Sequence, residues 1–217
     1  MRSSSRIHMA LAMAALALPL ALPHAASGQV GRNVGGLLDA NLATREQLAA
    51  IPGLSAAAVA AVEAGRPYLR MSQLNAVIES QMAGAAAEEI YRRLWLHLDL
   101  NDATDEEILM IPGIGDRMLR EFKEYRPYVG LAQFEREMAK YVDQSEVARL
   151  AQYVYVRIDL NTATDEAILS IPGIGNRMLR EFKEYRPYTA MAQFRREMAK
   201  YVDEDEVERM ARYVEIR

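Results

Sequence analysis

A five-residue stretch that recurs along the chain constrains the fold more than any other feature. Ile-Pro-Gly-Ile-Gly occupies 171–175 and 111–115, and a diverged copy, Ile-Pro-Gly-Leu-Ser, occupies 51–55. The same sixty-residue period relates Asp39, Asp99 and Asp159, then Thr44, Thr104 and Thr164, and the Arg-Pro-Tyr triplets that begin at Arg66, Arg126 and Arg186. Self-similarity at a fixed period is the sequence signature of a repeat protein. We therefore predict three copies of one unit, which are a first repeat at 39–98, a second at 99–158 and a third at 159–217.

The three repeats have diverged unequally. The second and third differ at 15 of 59 aligned positions, whereas the first keeps the turn residues but few of the surface residues. A unit of about sixty residues buries only about 60% of its surface, and almost no sequence separates the repeats. We therefore expect neighbouring repeats to share a core and to pack in a row.

The N-terminal residues have a composition of their own. Arg2 and Arg6 precede an apolar run at 9–22, and small and polar residues follow at 23–28. This order is typical of a secretory signal peptide, and the run of about 14 residues is shorter than the roughly 20 that span a bilayer. The sequence predicts a cleavable signal peptide at 1–28, a periplasmic or secreted protein, and a glycine-rich linker at 29–38. A retained N-terminal anchor is the alternative.

The composition limits the chemistry that is open to the chain. With 51% hydrophobic and 26% charged residues the chain is globular, and the absence of cysteine excludes disulfides and thiolate metal sites. Removal of 1–28 leaves 24 basic and 30 acidic residues, a net charge of −6. Because a negative net charge disfavours nucleic acid as a partner, binding of nucleic acid requires a locally basic surface.

Capping and helix-breaking residues predict several short helices in each repeat. In the second repeat Thr104 and Glu107 form a capping-box pattern that opens a first helix, and Pro112 ends it. A second helix begins near Asp116, and two more follow before an alternating stretch at 153–158 that favours an extended connector. The prediction is an all-α fold with four or five short helices in each repeat.

The Pro-Gly-Ile-Gly turns lie between the first two predicted helices of a repeat. Their glycines supply backbone conformations that a residue with a β-carbon resists. The start of the second helix presents backbone N–H groups that have no partner within the helix, and the helix dipole attracts anions to the same end. Such a helix start binds phosphate without sequence-specific side chains.

The residues around the third turn carry a resemblance to a known family. Asp-Leu-Asn-Thr-Ala-Thr at 159–164, the turn at 171–175, then Tyr185, Arg186 and Phe194 resemble the helix-hairpin-helix domain of the ComEA-like family, whose members are exported or membrane-attached DNA receptors in competence. The resemblance implies tandem helix-hairpin-helix units that contact the phosphate backbone of double-stranded DNA without reading its sequence, in a role such as DNA uptake. It assigns the contacts to Gly113, Ile114 and Gly115 and to Gly173, Ile174 and Gly175.

The sequence departs from this family pattern at three places. The family has a second hairpin with its own glycines, whereas this chain has Lys-Tyr-Val-Asp at 140–143 and 200–203. In the first repeat Ser55 replaces the second glycine and alanines replace the basic start of the next helix, so we expect that repeat to be structural. Asp116 beside the second turn repels phosphate, whereas Asn176 beside the third does not. The third turn is therefore the better candidate.

Basic residues extend both candidate sites along the second helix. They recur every three residues and so share roughly one face, and they are Arg117, Arg120, Lys123, Arg177, Arg180 and Lys183. They can continue a phosphate track, or the arginines can form ordinary ion pairs with Glu181 and Glu184 four residues on. The predicted nucleic-acid-binding residues are Gly173, Ile174, Gly175, Asn176, Arg177, Arg180, Gly113, Ile114, Gly115 and Arg117.

No residue pattern indicates catalysis. His97, the one histidine beyond the predicted signal peptide, is interpreted as a connector residue, and no nucleotide-binding loop, metal-ligand spacing or nucleophile motif occurs. We predict a non-enzymatic protein that uses no cofactor or metal. The alternative function is an envelope or extracellular scaffold whose helical repeats bind another protein, which the net acidity and the missing second hairpins favour.

Overall fold

The computed structural model describes residues 30–33, 35–82 and 85–217. The predicted signal peptide at 1–28 lies outside these residues. The described chain is mostly helical, with four helices between two short strands in each repeat. None of these helices has both the length and the apolar character that crossing a membrane requires.

The helices follow the same order in all three repeats. The first repeat contains α1 (Arg45–Ala49), α2 (Ala56–Ala64), α3 (Met71–Gln81) and α4 (Ala85–Tyr91). The second contains α5 (Asp105–Leu109), α6 (Asp116–Glu124), α7 (Leu131–Met138) and α8 (Gln144–Ala151). The third contains α9 (Asp165–Leu169), α10 (Asn176–Glu184), α11 (Met191–Met198) and α12 (Glu204–Ala211).

Short strands accompany the helices, and the mostly helical structure is roughly compatible with the predicted all-α fold. The strands are β1 (Leu38–Asp39), β2 (Leu94–Trp95), β3 (Leu98–Asp99), β4 (Val154–Tyr155), β5 (Ile158–Asp159) and β6 (Val214–Glu215). Within each repeat the first strand pairs with the last in parallel, as in the register Leu98 with Val154. The entry and exit segments are largely buried, so their backbone groups need partners, and each segment supplies them to the other.

The helix caps confirm the sequence pattern. The Thr44 and Thr104 side chains each accept a hydrogen bond from the backbone N–H of the third helical residue, and the side chains of Gln47 and Glu107 accept one from the backbone N–H of the threonine, which completes a capping box. Thr164 accepts from the backbone N–H of Ala167 at 3.2 Å, but Ala167 has no side chain that could accept from Thr164. The third repeat thus has the threonine cap but no capping box, as Ala167 at the third helical position predicts.

The Arg-Pro-Tyr triplets have the structural role that the sequence predicts. In the second repeat Tyr128 is buried, its backbone N–H donates to Asn101 Oδ1 at 2.7 Å, and Asn101 Nδ2 donates back to its carbonyl oxygen at 2.8 Å. Arg126 donates to the carbonyl oxygen of Ala103 at 2.9 Å. The same contacts occur in the other repeats, and the Arg-Pro peptide bond is cis in each.

The repeats do not simply form a row, which corrects the prediction. The first and second repeats share a core, and Trp95 Nε1 donates to the carbonyl oxygen of Tyr153 at 2.9 Å. The third repeat also reaches back to the first, because Arg212 donates to the carbonyl oxygen of His97 at 2.6 Å. Only two residues separate β2 from β3 and β4 from β5, so the ends of all three repeats are held together.

The first described residues of the predicted linker, Val30 and Gly31, pack between the second and third repeats, whereas its last residue, Leu38, pairs with Leu94 of the first repeat. Val30 is buried, forms an antiparallel bridge with Tyr155 and donates from its backbone to Ser170 Oγ at 3.3 Å. A β-carbon on Gly31 would lie 1.7 Å from the carbonyl oxygen of Ala151. Glycine at this position therefore permits the close approach of two backbones.

Candidate nucleic-acid interface

The first glycine of each turn is required by backbone conformation. Gly53, Gly113 and Gly173 have φ values of 86°, 81° and 80°, a region that residues with a β-carbon rarely adopt. The turn of the third repeat is closed by the backbone N–H of Ile174, which donates to the carbonyl oxygen of Ile171 at 3.1 Å. All three repeats therefore share one backbone turn, whatever the rest of their sequence.

The second glycine has no such structural reason. Gly175 has an extended backbone, with φ −113° and ψ −179°, and a β-carbon there would meet no atom of the described residues within 4 Å. Gly115 is also extended and equally open. Both residues cap a helix start, and neither α6 nor α10 receives a side-chain cap. Their first backbone N–H groups are therefore available to a ligand.

The first repeat closes the same position with a side chain. Ser55 stands where the other repeats have glycine, and its Oγ accepts a hydrogen bond from the backbone N–H of Ala58 at 3.1 Å. The helix that follows, α2, contains no basic residue. A capped, uncharged helix start offers little to an anion, which is consistent with the structural role expected of this repeat.

The structure places most of the predicted contact residues on the surface. In the third repeat Gly173, Gly175, Asn176, Arg177 and Arg180 are exposed, and in the second repeat so are Gly113, Gly115 and Arg117. The two isoleucines of the turns differ from the other predicted contact residues. The side chain of Ile174 is buried and that of Ile114 packs against the core, so these two residues can offer only their backbone to a ligand. Branched apolar side chains inside the turn anchor it to the repeat.

The basic face of the second helix divides into free and paired groups. Lys123 and Lys183 form ion pairs with Asp105 and Asp165, each at 2.6 Å. Among the described residues no carboxylate pairs with the four arginines of this face, which are Arg117, Arg120, Arg177 and Arg180. The ion pairs between neighbouring turns that the sequence offered as an alternative are thus not formed, and the arginines stay available to an anion.

In the second and third repeats the turn before the last helix cannot bind phosphate in the same way. At the start of α8, Asp143 Oδ1 accepts a hydrogen bond from the backbone N–H of Glu146 at 2.9 Å, and Asp203 does the same at α12. Hydrogen bonds from the hydroxyl of Ser145 and from the backbone of Glu146 hold the pKa of Asp143 below its ordinary value. A carboxylate that stays ionised already fills this helix start.

The third hairpin is supported by residues that sequence reasoning missed. Arg209 in α12 donates to the carbonyl oxygen of Pro172 at 2.6 Å and is held by Glu206. Leu42 of the first repeat lies against Gly173, where its Cδ1 would be 3.2 Å from an added β-carbon. The recurrence of arginine at 149 and 209 was a signal in the sequence, but the partners lie too far along the chain to be identified from it.

A cleft of about 840 Å³ opens where the three repeats meet, but its charge is wrong for phosphate. Its lining includes Asp39, Glu135 and Glu166 beside His97 and Arg32. Burial raises the pKa of Asp39, but the His97 imidazole 3.5 Å away and a hydrogen bond from the backbone N–H of Asn41 at 2.8 Å outweigh burial, so that the pKa is lowered overall. His97 and Asp39 of the first repeat thus occupy the positions that Arg157 and Asp99, which form an ion pair, occupy in the second repeat. The described residues contain no group of three potential ligands placed to hold a metal ion.

Comparison with known proteins does not assign the chain to a family. No protein-family model matches it, and neither a curated protein nor a solved structure matches it. The resemblance to the ComEA-like family therefore stays a prediction that depends on the turn residues, and the function has to be argued from the geometry of the hairpins.

Proposed function

We propose that the protein is an exported, non-enzymatic DNA-binding protein with tandem helix-hairpin-helix units. It binds the phosphate backbone of double-stranded DNA weakly and without sequence preference, first through the third hairpin and then through the second. The observation that carries the proposal is the coincidence of an uncapped helix start with unpaired arginines. This coincidence occurs in the second and third repeats and not in the first.

The chemistry of the third hairpin fits a phosphate group. The first N–H groups of α10 have no side-chain cap, and the open space at Gly175 lets a bulky oxyanion approach the backbone. Arg177 lies in the first turn of the same helix and Arg180 in the next, and both are exposed. None of these groups distinguishes one base from another, so the expected binding is independent of sequence.

The net negative charge makes this binding weak but does not prevent it. Long-range repulsion between an acidic protein and DNA is screened beyond about 8 Å at physiological salt. Contacts at a hairpin act at shorter range than that. We expect dissociation constants on the order of 10⁻⁴ to 10⁻⁶ M at physiological salt, the ordinary range of non-specific binding. A role in DNA uptake is consistent with weak capture outside the cytoplasm.

The test is the affinity of the purified protein for a random-sequence duplex as a function of salt. A double variant, Arg177→Gln with Arg180→Gln, is expected to bind about tenfold more weakly, or about 1.4 kcal/mol. Its slope of log affinity against log salt should be smaller by about 1 for each arginine removed. The control is Arg92→Gln with Arg93→Gln, which changes the net charge equally but in the first repeat. Equal losses in both double variants would show a general charge effect and remove support for the hairpin.

A second candidate function has its own support. Asp143 and Asp203 occupy the helix starts where the family resemblance leads one to expect a second phosphate contact. An envelope scaffold whose repeats bind another protein has no need of that contact. Absence of duplex binding by the unmodified protein even at low salt would favour this function.

A further inference from the structure

Arg209 braces the third hairpin from behind. Its Nη1 donates to the carbonyl oxygen of Pro172 at 2.6 Å, and Glu206 accepts two further hydrogen bonds from the same guanidinium, both at 2.6 Å. Only 3% of the residue is exposed. Three of the donors of this side chain are therefore fixed, and its charge lies directly under the turn.

The other two repeats lack this brace. In the second repeat Arg149 forms the same pair with Glu146, but its Nη1 is buried and finds no acceptor among the described residues. The first repeat has Glu89 at the corresponding position, and a carboxylate cannot donate to a carbonyl group. The contact with Pro172 thus distinguishes the third hairpin from two otherwise similar turns.

We propose that Arg209 is a positioning residue that holds the third hairpin in the conformation that receives a phosphate group. This inference rests on the proposed function for its biological meaning. A hydrogen bond from a charged donor is stronger than a neutral one, and a site whose shape is fixed before binding loses less entropy when the ligand arrives. Arg209 itself lies behind the turn and does not reach the open side at Gly175.

The brace has a consequence that is independent of DNA. Ile174 and Ile114 close their turns with equivalent hydrogen bonds, to Ile171 at 3.1 Å and to Ile111 at 3.0 Å. The bonds are alike, so a difference in how often they open reflects what stands behind the turn. Both Arg209 and Leu42 stand behind the third turn, so the change in amide exchange at Ile174 when Arg209 alone is replaced measures the effect of Arg209.

The first arm of the test compares exchange in the free protein. The amide of Ile174 is expected to exchange about tenfold more slowly than that of Ile114, and Arg209→Met is expected to remove the difference. The matched control, Arg149→Met, should leave Ile114 within about twofold of its original rate, because no bond to the turn is lost. Equal rates in the unmodified protein, or an unchanged rate at Ile174 in Arg209→Met, would overturn the proposal.

The second arm measures affinity for a random duplex. Arg209→Met should weaken binding about tenfold with the salt slope unchanged, since the residue makes no phosphate contact of its own. Arg209→Lys, which keeps the charge, should restore part of the affinity. A salt slope that falls by about one would mean direct phosphate contact and would contradict a positioning role.

The two arms separate failure of this inference from failure of the proposed function. If the unmodified protein does not bind the duplex, the proposed function fails, and hydrogen exchange alone decides whether Arg209 holds the turn. If the protein binds but Arg209→Met binds equally well, only the inference fails. Should Arg209→Met not fold, Arg209→Lys and Glu206→Gln provide the same comparison, with faster exchange at Ile174 expected in both.

Discussion

The first and third hairpins have the same turn and opposite helix starts. Gly53 and Gly173 adopt nearly the same backbone conformation, with φ 86° and 80°. Beyond the turn, Ser55 caps a helix of alanines and valines, whereas Gly175 leaves the start of α10 open below two free arginines. The turn is therefore a requirement of the fold, and the open helix start is a feature that only two of the repeats keep.

A helix start without a side-chain cap gives the protein no gain in stability. Serine caps a helix slightly better than glycine, and neither the backbone nor the packing at Gly175 excludes a side chain. Gly175 is not required by the fold, and within the described part of the chain no carboxylate pairs with the neighbouring arginines. Both features are consistent with a site for an external anion. Four predictions test this difference, from the largest expected effect to the smallest.

Replacing the first glycine of the turn should cost more free energy of unfolding in the third hairpin than in the first. Gly173→Val is expected to lower the free energy of unfolding by about 3 kcal/mol, since it adds crowding against Arg209 and Leu42 to an unfavourable φ. At Gly53 an added β-carbon would have one neighbour among the described residues within 4 Å, Ile90 at 3.9 Å, so Gly53→Val should cost about 1–2 kcal/mol. Urea denaturation measures both values. Equal losses at the two positions would show that the contacts behind the third turn add nothing.

The attachment of the first repeat should depend on Glu107 and on pH. Glu107 is buried, pairs with Arg70 at 2.9 Å and accepts from the backbone N–H of Ser72 at 3.2 Å. Glu107→Gln is expected to lower the free energy of unfolding by about 1–3 kcal/mol at neutral pH, without changing duplex affinity at the third hairpin. The exposed neighbour Glu106 provides the control Glu106→Gln, which should have little effect.

The pH dependence of this contribution follows from the direction of the shift. Burial raises the pKa of Glu107, but the backbone hydrogen bonds from Thr104 and Ser72 and the charge of Arg70 outweigh it, so the folded pKa lies below the ordinary value of 4.5. The stabilisation is therefore present above pH 4.5 and is lost as the pH falls through the lower, folded pKa. The stability difference between the unmodified protein and Glu107→Gln should narrow over that range. A difference that persists at lower pH would contradict the assignment.

Exchanging serine and glycine at the last position of the first and third turns should move the helix-capping hydroxyl from one repeat to the other. Gly175→Ser is expected to change stability by only a few tenths of a kcal/mol and to weaken duplex binding about threefold, because its hydroxyl competes for the N–H groups of α10. Ser55→Gly opens α2 but adds no basic residue, so no gain in affinity is expected. Unchanged binding by Gly175→Ser would argue against phosphate contact at this helix start.

The acidic residue beside the second turn should have the smallest effect. Asp116 is exposed at the start of α6, where the third repeat has Asn176. Asp116→Asn removes a repulsive charge and is expected to strengthen duplex binding about twofold, worth a few tenths of a kcal/mol. The reverse change, Asn176→Asp, should weaken binding by a similar or larger factor if the third hairpin binds first. A response to Asp116→Asn alone would make the second hairpin the main site.

Local chemistry allowed much of the architecture to be predicted. Helix caps, helix-ending prolines and turn glycines act on residues at most a few positions away. The three repeats and the short helices of each could therefore be predicted from the sequence. The same reasoning identified the exposed glycines and arginines of the hairpins. A turn between two helices does not itself show which side faces the core, so the burial of the Ile174 side chain is seen only in the structure.

The sequence by itself determined the repeat, the caps and the candidate hairpins, because each depends on residues that are near neighbours in the chain. Only the tertiary structure decided the parallel strand pairs, the contact between the first and third repeats, and the brace that Arg209 forms with Pro172. These contacts join residues 37 or more positions apart, as between Arg209 and Pro172. No local pattern encodes such partners, since they are selected by which surfaces the packed repeats bring together.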